Sequence, residues 1–422
     1  MNPIYNDYIS FLKDKGFNFP EVNIKEGYYW LDRQIIKGFN KKNGNLEKIV
    51  KVNVTEDLEV SFKKYKTFKD DSEFESWDET YLRNKSKIDK LLSESDRMIE
   101  NMIKKYKEFR PVVLTSTGKD SMLTSFLVEK HIQNVEKLFN NTSVDSAETY
   151  LLAKEIPNCN ILNPEEGFYQ WVKRTEMIPS RFHRACCTLY KEGSTYDFYG
   201  KSKVLFFLGM RNQESSTRSS YDFEYRNVNW KSEDYVGCLP IKNWSDLDVW
   251  LFTIKNNINI NKKYKMGYSR VGCSVVCPYY SKSTWVLDKY YYKNNYERWH
   301  RILEDDFIKN NKWLRMNCTL EEYHKNWSGG LIRKEPIDEV IEEFAKYNNL
   351  DFDVAKRFFN NKCCICNKKV NQKNINSMNF KFNGRNTDKL YCKKHLMEIL
   401  NIDKVQWDKY IEQFKRQECR LF

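Results

Sequence analysis

Apolar residues recur along the chain with two distinct periods. Between Asp78 and Phe109, Leu82, Ile88, Leu91, Leu92, Met98, Ile99, Met102 and Ile103 follow three- and four-residue steps, which predicts one long amphipathic helix. Ahead of it, Lys48–Val54 and Leu58–Phe62 alternate and Asn43-Gly44 is a turn signal, so residues 1–78 read as a small β-containing unit. From about 110 to 260 the pattern changes again. Short apolar strands at Val112–Leu114, Val135–Phe139, Cys159–Leu162 and Val204–Leu208 are separated by segments long enough for helices. That rhythm predicts an α/β fold with a doubly wound, mainly parallel sheet and helices on both faces. Residues 280–361 read as a helical extension, clearest at Tyr290–Leu303 and Ile337–Tyr347, and residues 362–422 as a Cys/His segment followed by a helix over Leu396–Phe414. The expected organisation is therefore 1–78, 79–279, 280–361 and 362–422.

Composition narrows the class. With 41% hydrophobic and 15% aromatic residues among 422, a wholly disordered chain is excluded. The longest apolar runs, such as Val204–Leu208, fall far below the ~20 residues of a membrane helix. The opening MNPIYNDYISFLKDKG has no apolar core of a secretory signal, so a cytoplasmic protein with no membrane partner is expected. The formal charge is +13, and between Lys362 and His395 nine Lys/Arg face one acidic residue, Asp388. Most of the excess sits in this segment, which points to a polyanion there.

Twelve cysteines in such a chain suit metal ligation better than disulfides. They also cluster. Cys186-Cys187 is followed after 85 residues by Cys273-x3-Cys277, four soft ligands that suit an iron–sulfur cluster or a tetrahedral zinc ion, with simple packing of buried thiols as the alternative. Cys363-x2-Cys366 and Cys392-x2-His395, 25 residues apart, have the spacing of a closed, structural Zn²⁺ site, with Cys364 as a spare thiol. This segment is expected to be too small for a core of its own, so that metal supplies its folding energy. Phe380, Phe382 and Tyr391 lie among its lysines and could stack on bases.

The strongest local signal is Leu114-Thr-Ser-Thr-Gly-Lys-Asp-Ser121 between a strand and a helix. Ser116, Gly118 and Ser121 can turn the chain and aim N–H groups at an anion, the helix N-terminus adds its dipole, Lys119 supplies a cation, and Asp120 can orient Mg²⁺ or a hydroxyl. The segment resembles the Ser-Gly-Gly-Lys-Asp-Ser pyrophosphate loop of the adenine nucleotide α-hydrolases, with Thr117 in place of one glycine. Further blocks follow in the order seen in the phosphoadenosine phosphosulfate (PAPS) reductase family: Asn141-Thr142 and Glu148-Thr149, Pro179-Ser180 with Arg184–Lys191, Gly209–Arg218, Pro240–Trp250, and Gly267–Pro278. The resemblance covers roughly residues 108–330.

That resemblance implies an adenine nucleotide held by Ser116, Thr117, Gly118, Lys119, Asp120 and Ser121, with Arg211 and Arg218 clamping phosphate or sulfate oxygens and Glu214 holding one of them or a metal. Cys186, Cys187, Cys273 and Cys277 are similar to the set that binds a [4Fe–4S] cluster in sulfonucleotide reductases, although the second pair is spaced by three residues rather than two. The region around Cys273 is also similar to that of DNA phosphorothioation sulfurtransferases. Two chemistries are thus implied. In one, ATP loses pyrophosphate and adenylates an acceptor, such as DNA or tRNA, that then receives sulfur from a donor such as a cysteine desulfurase. In the other, adenylyl sulfate (APS) or PAPS is reduced to sulfite with a thioredoxin-like reductant. Glu418-Cys419 matches the start of the reductases' C-terminal motif, but its glycine and histidine are absent. A nucleotide-sensing, nucleic-acid-binding protein without turnover is the reading from another class.

Overall fold

The computed structural model describes residues 1–17, 24–54, 59–67, 71–226, 234–329, 332–359, 363–366, 368–370, 372–384 and 389–417. The chain forms two compact units, one of Met1–Pro179 with Arg184–Tyr296 and one of Ser180–His183 with Glu297–Phe422.

The first unit contains two sheets. In the N-terminal one, β1 (Asn2–Pro3), β2 (Tyr29–Asp32), β3 (Ile35–Phe39), β4 (Leu46–Val54) and β5 (Val60–Lys64) pair antiparallel in chain order. The strands β2 and β3 escape an alternation test because Tyr29, Trp30 and Leu31 are all buried in sequence. The helix α1 (Asn6–Asp14) lays Tyr8, Ile9, Phe11 and Leu12 into the core of this sheet. The long helix α2 (Trp77–Lys105) starts at Ser76, whose side chain and that of Glu79 form a reciprocal capping box. Its buried Ile88, Leu91, Ile99 and Met102 join the core with Val249, Trp250 and Phe252 of the helix Asp246–Lys255.

The second sheet positions the site. Its strands are β6 (Arg110–Leu114), β7 (Glu136–Asn140), β8 (Cys159–Leu162), β9 (Val204–Leu208), β10 (Glu224–Tyr225) and β11 (Tyr235–Cys238), in the spatial order β10-β11-β9-β6-β7-β8. All neighbours are parallel except the edge pair β10–β11. The runs Pro111-Val-Val-Leu114 and Val204–Leu208 are almost wholly apolar because a parallel sheet is covered on both faces. The order puts β6 beside β9, with Leu114 opposite Leu208, so the loops after these two strands emerge side by side at the carboxyl edge. Helices α3 (Lys119–Glu129) and α4 (Ala147–Glu155) follow β6 and β7.

The second unit is helical, with an aromatic core that includes Trp313 against Phe307 and Phe344, and Trp299 against Trp327. Two expected helices are broken. Helix continuity over Tyr290–Leu303 is interrupted at Tyr292, between Lys282–Tyr291 and Lys293–Lys309, where the Tyr292 hydroxyl donates to Glu148 at 2.7 Å. The stretch Leu396–Phe414 is two helices, Lys393–Leu400 and Lys404–Arg416, because Asn401 turns left-handed (φ 48°) and Asp403 caps a new start. Among the described residues, no helix is long and apolar enough to cross a membrane.

Candidate active site and metal centres

The loop from Thr115 to Gly118 joins β6 to α3. Its left-handed turn falls on Thr117 (φ 56°), not on Gly118. A β-branched residue resists this conformation, and its neighbours hold it there. Asn261 Nδ2 donates to Thr117 Oγ1 at 2.8 Å and to Thr149 Oγ1 at 2.9 Å, and all three residues are buried. The branched side chain therefore ties the loop to α4. Several loop donors already have partners: the N–H of Ser116 reaches Ser121 Oγ (3.2 Å), that of Thr117 reaches Thr115 Oγ1 (3.1 Å), and that of Lys119 reaches the Tyr264 hydroxyl (3.1 Å). The N–H groups of Asp120 and Ser121 lie in the first turn of α3, outside its helical ladder, and suit an anion.

The charged groups interlock beside this turn. Lys119 Nζ lies 2.7 Å from Asp120 Oδ2 and 3.2 Å from Asp246 Oδ1. Arg211, only 3% exposed, places Nε 2.6 Å from Asp120 Oδ1 and Nη2 2.7 Å from Asp246 Oδ1. Burial would raise the Asp246 carboxyl, but Lys119, the Met1 α-amino group and Arg211 outweigh it and hold the group well below the usual carboxylate range. Burial likewise opposes the charge on Lys119, yet Asp120 leads the groups that raise it. Gly209, at the end of β9, is required by close approach, since a Cβ there would lie 2.7 Å from the Asp120 backbone.

The two expected clamps are thus separated. Arg211 is buried and committed to two carboxylates, as a desolvated guanidinium demands, while Arg218 is 38% exposed and pairs with Glu214. Glu214 also accepts from the Arg211 N–H at 2.9 Å. Asp246 and Asn261 are site residues that sequence reasoning missed. The first could have been suspected as an acid in the opening turn of a Ser-capped helix, whereas nothing local marks Asn261.

The first cysteine set is brought together in the same unit. Cys186 and Cys187 lie on a short helix, Ala185–Cys187, that runs into a π-helical turn, and Cys273 and Cys277 on the loop after Gly272. All four are partly exposed, and Cys186 interacts electrostatically with the other three. The hydrogen bond from Cys186, then Lys191 and Arg184, push the Cys187 thiol down to about 6. Cys273 leads the groups that raise the Lys191 ammonium. No three of these thiols lie within 4.8 Å of one another, a wider arrangement than a single tetrahedral ion requires.

The second set is tight. The ligand atoms of Cys363, Cys366, Cys392 and His395 all lie within 4.8 Å of one another, with Cys363 Sγ 3.2 Å from His395 Nδ1 and Cys366 Sγ 3.8 Å from Cys392 Sγ. This geometry is compatible with metal binding. Burial would raise the Cys363 thiol, but N–H groups of Cys392 and Cys366 lead in bringing it down to about 6. The spare Cys364 accepts from the Leu390 N–H at 3.3 Å and does not join the four. Contrary to expectation, the segment has a small core of its own, in which Cys363, Val370, Met378, Leu396 and Trp407 are buried. Phe380 is also buried, packed at a tilt against Phe358, so it is not available to bases, whereas Phe382 is exposed. Asn367, Asp388 and Cys419 lie outside the described residues.

Residues 110–278 match the family model described as the phosphoadenosine phosphosulfate reductase domain. An uncharacterized protein of Methanocaldococcus jannaschii is 25% identical over 273 residues, 61% of this chain and 66% of its own length. The chain therefore spans just under two thirds of that relative. An adenosine 5′-phosphosulfate reductase of Lysinibacillus sphaericus is 25% identical over 169 residues, 38% of this chain and 71% of its own. Among solved structures, a phosphoadenylyl-sulfate reductase from Candida auris in a phosphate complex shares 16% identity with a TM-score of 0.36, over 44% of this chain and 93% of that one.

Proposed function

We propose, from the premise that the chain belongs to the phosphoadenosine phosphosulfate reductase family through residues 110–278, that it is an adenine-nucleotide enzyme of sulfur chemistry. The carrying observation is the junction of the β6 and β9 loops, where Lys119 and Arg211 are held together by Asp120 and Asp246 at the N-terminus of α3. Two fixed cations and a helix dipole suit the charge that develops when pyrophosphate leaves the α-phosphate of ATP. Asp120 and Asp246 orient those cations, and the N–H groups of Asp120 and Ser121 receive phosphate oxygens. Mg²⁺ bound with ATP would neutralise phosphate charge. The acceptor is a nucleic acid, DNA or tRNA, which is adenylated and then thiolated with sulfur from a donor such as a cysteine desulfurase. The basic segment around Cys363, Cys366, Cys392 and His395 supports this, with Zn²⁺ as the metal and exposed Phe382 beside the lysines.

The wide four-thiol set, with Lys191 and Arg184 at hand, fits a [4Fe–4S] cluster held by Cys186, Cys187, Cys273 and Cys277. Such a cluster would supply electron storage and inorganic sulfide. The relatives named adenosine 5′-phosphosulfate reductase favour a second reading, reduction of APS or PAPS to sulfite by a thiol. Product analysis separates the two. Anaerobically purified protein is given ATP, APS or PAPS separately, with a thiol reductant, with and without DNA or tRNA. Pyrophosphate and AMP from ATP support adenylation; sulfite from a sulfonucleotide supports reduction; turnover of none of them refutes both and returns the sensor.

A further inference from the structure

Outside the phosphate-loop site, the first unit buries a lysine that none of the chemistry above uses. Lys263 is completely buried, and its Nζ has no hydrogen-bond partner among the described residues. The ammonium lies 4.3 Å from the centre of the Tyr268 ring, 5.5 Å from that of Tyr292 and 5.8 Å from that of Tyr280. Its companion is Asp288, also completely buried. Asp288 Oδ1 accepts from the Tyr268 hydroxyl at 2.8 Å and from Ser274 Oγ at 3.1 Å, while Oδ2 has no hydrogen-bond partner among the described residues.

Ring faces attract an ammonium, but three rings do not replace its lost hydration. Burial pushes Lys263 down from its ordinary value, and the groups that oppose this are Asp288, Asp145, Glu148 and Cys273. Cys273 is one of the four thiols, and Ser274, which Asp288 holds, is the next residue. Other cations are associated with the thiols: Lys191, whose ammonium Cys273 raises against desolvation by burial, and Arg184 and Arg270. Lys263 is the one of the four whose whole side chain is out of contact with solvent, where a charge acts at low dielectric.

We propose that Lys263 is a positioning residue for the four-thiol centre: its ammonium, caged by Tyr268, Tyr280 and Tyr292 and opposed by Asp288, supplies an unscreened positive charge that stabilises an anionic metal–thiolate centre at Cys273. The inference rests on the iron–sulfur reading given above. A fixed positive charge favours the more negative, reduced form of such a centre and raises its midpoint potential.

The test uses the full chain, reconstituted anaerobically with ferrous iron and sulfide, as wild type, K263M, K263R and K263Q. Methionine fills the cage without charge. Iron per chain after a chelator challenge and the midpoint potential are read, with circular dichroism as the check on folding. K263M is expected to keep at most a third of the wild-type iron and to shift the reduction equilibrium about tenfold toward the oxidised form, about 59 mV for one electron. K263R is expected to stay within twofold of wild type. K263Q also removes the charge but keeps a polar end, so its potential is expected to fall with that of K263M, and it decides the matter if K263M does not fold. A loaded wild type with K263M or K263Q unchanged in iron and potential overturns the inference alone. A folded wild type that takes up no iron overturns the iron–sulfur reading and this inference with it.

Discussion

Thr117 offers a sharp test of how the phosphate loop is built. Its left-handed backbone costs an L-residue roughly 1–2 kcal/mol relative to glycine. Truncation to alanine leaves that strain in place. It removes a buried methyl group, about 0.8 kcal/mol, and the hydrogen bond from Asn261, about 1 kcal/mol. Asn261 keeps Thr149 as acceptor for one amide N–H, but the other is left buried and unpaired, about 1 kcal/mol more. Thr117→Ala should therefore destabilise the chain by about 3 kcal/mol. Thr117→Gly suffers these losses, about 0.8 kcal/mol more for the buried Cβ and ~0.7 kcal/mol of unfolded-state freedom, but it releases the strain, which offsets the last two, for a net cost also of about 3 kcal/mol. Urea unfolding of the two variants beside wild type measures this directly. The glycine midpoint should lie close to that of alanine. If glycine proves less stable than alanine by about 1.5 kcal/mol, the loop carries no left-handed strain at Thr117, and if alanine costs less than about 1 kcal/mol the role assigned to Asn261 is wrong.

Other consequences follow from the same contacts. Asp246→Asn leaves Arg211 and Lys119 short of one opposing charge, for a loss of about 2–3 kcal/mol, the lower end for a broken buried pair because Asp246 is 28% exposed. The Asp246 carboxyl is held below its unfolded value, so its contribution is complete above about pH 4 and fades as pH falls through the lower, folded value. The gap between wild type and the variant should accordingly narrow in denaturation series run from pH 5 toward pH 2. Gly209→Ala puts a methyl group 2.7 Å from the Asp120 backbone, and since backbone cannot swing aside, calorimetry should show at least a tenfold weaker affinity for ATP. Metal analysis should find one zinc bound by Cys363, Cys366, Cys392 and His395, and Cys366→Ser should lose it. Because the segment also has an apolar core around Trp407, circular dichroism of that variant should show partial rather than complete loss of helix.

Much of this molecule was legible along the chain. The strands β6, β8 and β9, the helix α2, the phosphate-loop segment and the tight Cys/His set all follow from neighbours within a few residues or from short ligand spacings. Local signals suffice there because a buried parallel strand reads as an apolar run and a metal knuckle needs only a turn between its ligands. Tertiary structure alone decided the rest. It placed Asp246 against Arg211 and Lys119, brought Asn261 to Thr117, and closed Lys263 inside three tyrosine rings with Asp288 near. It also assigned the left-handed turn to Thr117 rather than to the adjacent glycine, and broke the helix at Tyr292, whose hydroxyl meets Glu148. Each of these joins residues far apart in sequence, where no periodicity connects them. Their physical cause is common to all: a polar group removed from water must find its partner wherever the fold provides one.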